Sequence, residues 1–196
     1  MTLWGAALAA LVVGFSDSAS AHPVIQGVTG FPGGLLHPVL EPAHALSLVA
    51  LGLMVGQQRA PHRMPLMVAF AGALLAAILL VVFAFAVTEA GTVLLACGGL
   101  AGLLVALARP LPIALTGALI VIAGVALELD SVPAIISVQD TLLALAGTAF
   151  GAWLALMVVA GSTLDPKREW QRVGVRVLGS WAAASVILVL TLKFAK

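Results

Sequence analysis

His37, Glu41 and His44 stand at i, i+4 and i+7, interleaved with Pro38 and Pro42. On an α-helix that spacing puts two imidazoles and a carboxylate on one face. Such a set suits borderline divalent metals: Ni²⁺, Co²⁺, Zn²⁺ or Cu²⁺. Each proline lacks an N–H, so the carbonyl four residues before it loses its usual donor and the helix start is irregular. Interruptions of this kind are common where a membrane helix coordinates an ion. The plainer alternative is that the two histidines cap and pack the entry of a helix. Further candidate metal ligands are His22, Glu128 and Asp130.

These residues must be held by elements made of very apolar sequence. The chain has 196 residues, 62% hydrophobic and 9% charged, with a mean hydropathy of +1.19. A soluble domain carries roughly 25% charged residues, so a soluble enzyme and a disordered chain are excluded. A net charge of +1 offers no field for nucleic acid. The single cysteine, Cys97, excludes an intrachain disulfide and a cysteine-cluster zinc site. No nucleophile–base pair suggests an enzyme, and no P-loop suggests ATP-driven transport. The expected fold is an all-α membrane protein, a six-helix transmembrane bundle preceded by a signal peptide. Its partner is the lipid bilayer, without nucleic acid.

Leu3 to Phe15 is apolar but too short to span, since a crossing needs about 20 helical residues. Ala19 and Ala21 follow it with the small-residue spacing of a cleavage site, so residues 1–21 are predicted to be a signal peptide and 22–196 a single transmembrane domain. Cleavage would place the imidazole and the new amine of His22 on one residue. Spans are predicted at Leu35–Gln57, Pro65–Val87, Thr92–Ala108, Pro112–Leu127, Asp140–Ala160 and Val173–Leu192. Arg59, Arg63, Arg109, Lys167, Arg168, Arg172 and Arg176 then fall on one side, which the positive-inside rule makes cytoplasmic. Both mature termini are expected in the periplasm of a bacterial inner membrane. Glu41, Glu89, Glu128, Asp130 and Asp140 gather on the outer side with little positive charge nearby, an arrangement that would concentrate divalent cations. The pairs Gly52 and Gly56, Gly98 and Gly102, and Gly147 and Gly151 are expected to pack helices closely.

The stretch from Phe31 to Gln58 resembles the signature of the HupE/UreJ family, small membrane proteins linked to nickel supply for hydrogenase and urease. His37, Pro38 and His44 hold the family's equivalent places, and Ala50-Leu51-Gly52-Leu53 fits the tail of the motif. The leader before His22, the six-span layout and Glu89-Ala90-Gly91 at the start of span three are also similar. Two positions depart: the family's Asp is Ala43 here, and its Gly is Glu41, which could replace the lost carboxylate. The family's second histidine-rich stretch corresponds to Gly124–Asp130, which has no histidine and offers Glu128 and Asp130. The resemblance implies a secondary permease that carries Ni²⁺ or Co²⁺ and holds no permanent cofactor. The alternative is a transport-incompetent membrane subunit that packs in, or assembles, a larger membrane complex.

Overall fold

The computed structural model describes residues 29–83, 88–109, 111–133, 137–163 and 168–195. The predicted leader, its cleavage site and His22 lie outside these residues. Among the described residues the chain is all-helical. Its elements are α1 (Gly30–Leu40), α2 (Pro42–Gly56), α3 (Ala60–Val82), α4 (Ala90–Ala106), α5 (Ile113–Asp130), α6 (Val138–Ser162) and α7 (Glu169–Phe194).

The first predicted span is corrected: it is two helices, not one. α1 and α2 meet at a 69° bend at Glu41. Pro42 occupies the first turn of α2, where a missing N–H is tolerated, and it cannot donate to the Pro38 carbonyl to continue α1. The expected single face through His37, Glu41 and His44 therefore does not exist, because the extended backbone of Glu41 turns the second helix away from the axis of the first.

α3, α5, α6 and α7 are each long and apolar enough to cross a membrane, and the bent α1–α2 pair counts as a fifth candidate. α4 is apolar but has only 17 residues, about 25 Å of helix. Lipid explains the outward faces. Val68, Leu75 and Leu79 of α3, and Trp181, Leu188 and Leu192 of α7, are exposed large hydrophobic side chains, a surface that water would penalise and hydrocarbon would not.

α2 is the axis of the bundle. His44, Ser47, Leu48 and every residue from Ala50 to Gly56 are buried. A helix that is apolar all round can be buried all round, and α2 packs against α4, α6 and α7, with α3 and α5 touching it less. Within lipid, burial of apolar area does not drive helices together, so close backbone approach and polar contacts must do so. The glycines provide the approach. Gly52 and Gly56 meet Val159 and Thr163 on or at the end of α6, Gly98 meets Ser47 of α2, and Gly102 meets Gly179 and Ala183 of α7. α1 lies along α6, where Gly147 and Gly151 abut Phe31 and Leu35, and Gly34 faces the Ala144 backbone so closely that no Cβ would fit. The Thr148 hydroxyl donates to the Gly34 carbonyl at 3.3 Å across the same contact.

The bundle has a basic end and an acidic end. At the first, Gln57 Nε2 donates to the Val105 carbonyl (3.5 Å), Gln58 Nε2 to Thr116 Oγ1 (3.3 Å) and Arg176 Nε to the Ala106 carbonyl (3.0 Å). Arg59, Arg63, Arg109, Arg168 and Arg172 belong to the same end. At the other end lie the break at Glu41, Glu89, and Asp130 as the last residue of α5. α5 runs past the predicted limit at Leu127, so Glu128 and Asp130 are helical residues and not loop acids.

Candidate functional site

The break brings two histidines together. His37 is in the last turn of α1 and His44 in the first turn of α2, and their rings meet edge-on with centroids 5.1 Å apart and planes at 82°. The joint is tied by its backbone: the Glu41 N–H donates to the His37 carbonyl and the Ala45 N–H to the Glu41 carbonyl, both at 2.9 Å. Glu41 itself is half-buried, with an extended backbone.

The carboxylate that reaches the histidines comes from another helix. Asp130 Oδ2 lies 2.9 Å from His44 Nε2. His44 is 1% exposed and the Asp130 side chain 36%, so the pair spans the boundary between core and surface. Two ring nitrogens remain buried without a partner, His37 Nε2 and His44 Nδ1. Glu128 is also buried, at 0% exposure, with neither carboxylate oxygen hydrogen-bonded. It precedes Asp130 by two residues, roughly 200° around the helix, so the two acids leave α5 on different sides.

Thus His37 meets His44, and His44 in turn meets Asp130. Glu41 sits in the joint, and Glu128 is buried elsewhere on α5. Among the described residues no group of three or more His, Cys, Asp or Glu side chains forms a ready-made metal cage. What exists is a pair of imidazoles in contact, each with a free buried nitrogen, beside a carboxylate.

Around this site one acid of the expected outer mouth, Glu89, has a cation beside it. Lys193 Nζ, from the end of α7, lies 3.0 Å from Glu89 Oε2 and also contacts Thr92 Oγ1. The Thr92 hydroxyl donates to the same Glu89 oxygen at 2.6 Å. The Thr92 hydrogen bond first, and then Lys193, hold the Glu89 carboxyl below the ordinary carboxylate range. No spacing along the chain pairs this lysine with Glu89, which stands 104 positions away. Gly91 lies in the first turn of α4. Its Cα is so close to the Asp130 carboxylate that a Cβ would lie 2.7 Å from Oδ1. No pattern along the chain links Gly91 to Asp130, and only the fold does.

A family model described as "HupE / UreJ protein" matches residues 9–189. No curated protein and no solved structure matches the chain.

Proposed function

The chain belongs to the HupE / UreJ family, and from that premise we propose that it is a secondary permease for a divalent transition metal, Ni²⁺ or Co²⁺. The observation that carries the reading is the pair of unpartnered buried nitrogens, His37 Nε2 and His44 Nδ1, on rings in contact at a break in a membrane helix. Unpaired polar atoms within a membrane protein are costly and mark ion pathways. Two imidazoles without further fixed ligands also suit a cargo. A structural metal site closes four ligands around its ion, whereas a transport site must bind weakly enough to release. Glu41 and Asp130 supply negative charge around the joint. The cation enters at the acidic end and leaves at the basic end, which faces the cytoplasm of a bacterial cell, and six crossings include α4 through locally thinned bilayer.

The test is accumulation of radioactive nickel or cobalt in cells that lack their own carriers. The unmutated protein should accumulate one of them above the empty-vector level. His37→Ala and His44→Ala should abolish accumulation at unchanged membrane abundance. No accumulation of either metal by the unmutated protein would discard the permease in favour of a subunit role in a larger membrane complex.

A further inference from the structure

The contact between His44 and Asp130 has a direction. A carboxylate offers only acceptors, so the hydrogen between Asp130 Oδ2 and His44 Nε2 belongs to the ring. A neutral imidazole carries one N–H, and placing it on Nε2 leaves the lone pair on Nδ1. Nδ1 is the buried atom with no partner. We infer that Asp130 is a positioning residue and not a cation ligand: seated over Gly91 at the start of α4, it holds His44 as the Nε2–H tautomer and so presents Nδ1 to the cation. The value of this arrangement to metal binding rests on the permease reading above; the tautomer assignment does not.

Three observations support the seat. A Cβ on Gly91 would lie 2.7 Å and 2.9 Å from the two Asp130 oxygens, so only glycine leaves room for the carboxylate there. Gly91 is in the first turn of α4, whose leading N–H groups lack intrahelical acceptors and whose dipole favours an anion. The first turn of α2 carries His44, so the carboxylate bridges three helix ends: those of α5, α4 and α2. A metal-binding histidine commonly donates its second ring nitrogen to such a carboxylate, which fixes ring and tautomer together. The acidic residue that belongs to the pair is therefore on α5, 86 positions from His44, and not at Glu41.

The experiment uses the full-length protein, metal-free in detergent micelles, with ¹⁵N-labelled histidine. The ring shifts of His44, assigned by loss in His44→Gln, should report the Nε2–H tautomer. Asp130→Ala should abolish that preference. Gly91→Ala should do the same with every ionisable group still present, because the added methyl displaces the carboxylate. Titration with Co²⁺ alone should then show both variants binding about 10- to 100-fold more weakly, the range for loss of an outer-shell partner, with a Co²⁺ absorption spectrum of unchanged shape. The double variant should be no weaker than either single one, since both remove the same contact. A His44 ring in the Nδ1–H form, a tautomer indifferent to both substitutions, or a Co²⁺ spectrum that changes shape in Asp130→Ala would each overturn the inference. If the unmutated protein binds no Co²⁺, the permease reading fails, and the metal-free tautomer measurement still decides this one.

Discussion

Glu128 is fully buried and neither of its oxygens is hydrogen-bonded. Leaving a buried polar group unsatisfied costs about 1–3 kcal/mol, so this carboxyl weakens the fold that contains it. Glu128→Leu, close in volume and without polar atoms, should raise resistance to unfolding in mixed micelles by about that amount while lowering metal accumulation. A variant that is both less stable and fully active would show that Glu128 has a partner within the bundle. Glu89 is the contrasting acid, exposed and satisfied. Its carboxyl is held low by the Thr92 hydrogen bond and by the hydrogen bond and the charge of Lys193. A lowered carboxylate contributes stability above its ordinary titration range, and that contribution is lost as pH falls through the lowered value. Because the pair is open to solvent, its effect on stability is small, and the titration itself is the better readout. The midpoint of the Glu89 carboxyl carbon, followed by NMR, should rise in Thr92→Val and in Lys193→Ala. A midpoint that stays put in both would mean the latch does not form in solution.

At the level of elements, α4 ends in a way that can be improved. Ala108 has φ 51°, the left-handed region. The Ala108 N–H donates to the Val105 carbonyl and the Arg109 N–H to the Leu104 carbonyl, each at 3.1 Å. That is the Schellman pair of bonds, which favours glycine at the position Ala108 holds. The Cβ there costs about 1 kcal/mol, so Ala108→Gly should stabilise the protein by a similar amount in unfolding titrations without altering metal uptake. Loss of stability would mean the left-handed turn is not kept in the variant. The same physics sets what could be read along the chain. Long apolar runs between Arg and Gly-Pro punctuation are plain in composition, so most helices were legible to within a few residues. Pro38 and Pro42 signalled an irregular start to the first span. They could not signal its 69° bend, because a proline removes a donor without specifying where the chain goes next. Nor could spacing find Asp130 as the partner of His44. Helical periodicity relates neighbours on one element, and this pair is made by two helices meeting.

The whole molecule is polarised along the bundle axis. The three-helix junction of His44, Asp130 and Gly91 sits at one end, and Gln57, Gln58, Thr116 and the arginines sit at the other. This asymmetry was legible without coordinates, because basic residues resist translocation and a few in short loops orient a polytopic chain. Acids carry little such information, and no periodicity along the chain links Glu89 to Lys193, 104 positions away. Orientation can be tested with two exposed positions at opposite ends, Arg59 at the start of α3 and Thr88 before α4. Cys97 is buried in α4 and should stay silent to a charged maleimide, serving as an internal control. In spheroplasts, Thr88→Cys should be labelled directly. Arg59→Cys should be labelled only after the membrane is permeabilised. The reverse order would turn the molecule over, putting the histidine pair at the cytoplasmic end and making it the exit of an inward pathway instead of its entrance. Labelling of both positions before permeabilisation would mean that α3, the helix between them, does not cross the bilayer. The most apolar of the spanning helices would then lie outside the count of crossings, and the positive-inside orientation would fall with it.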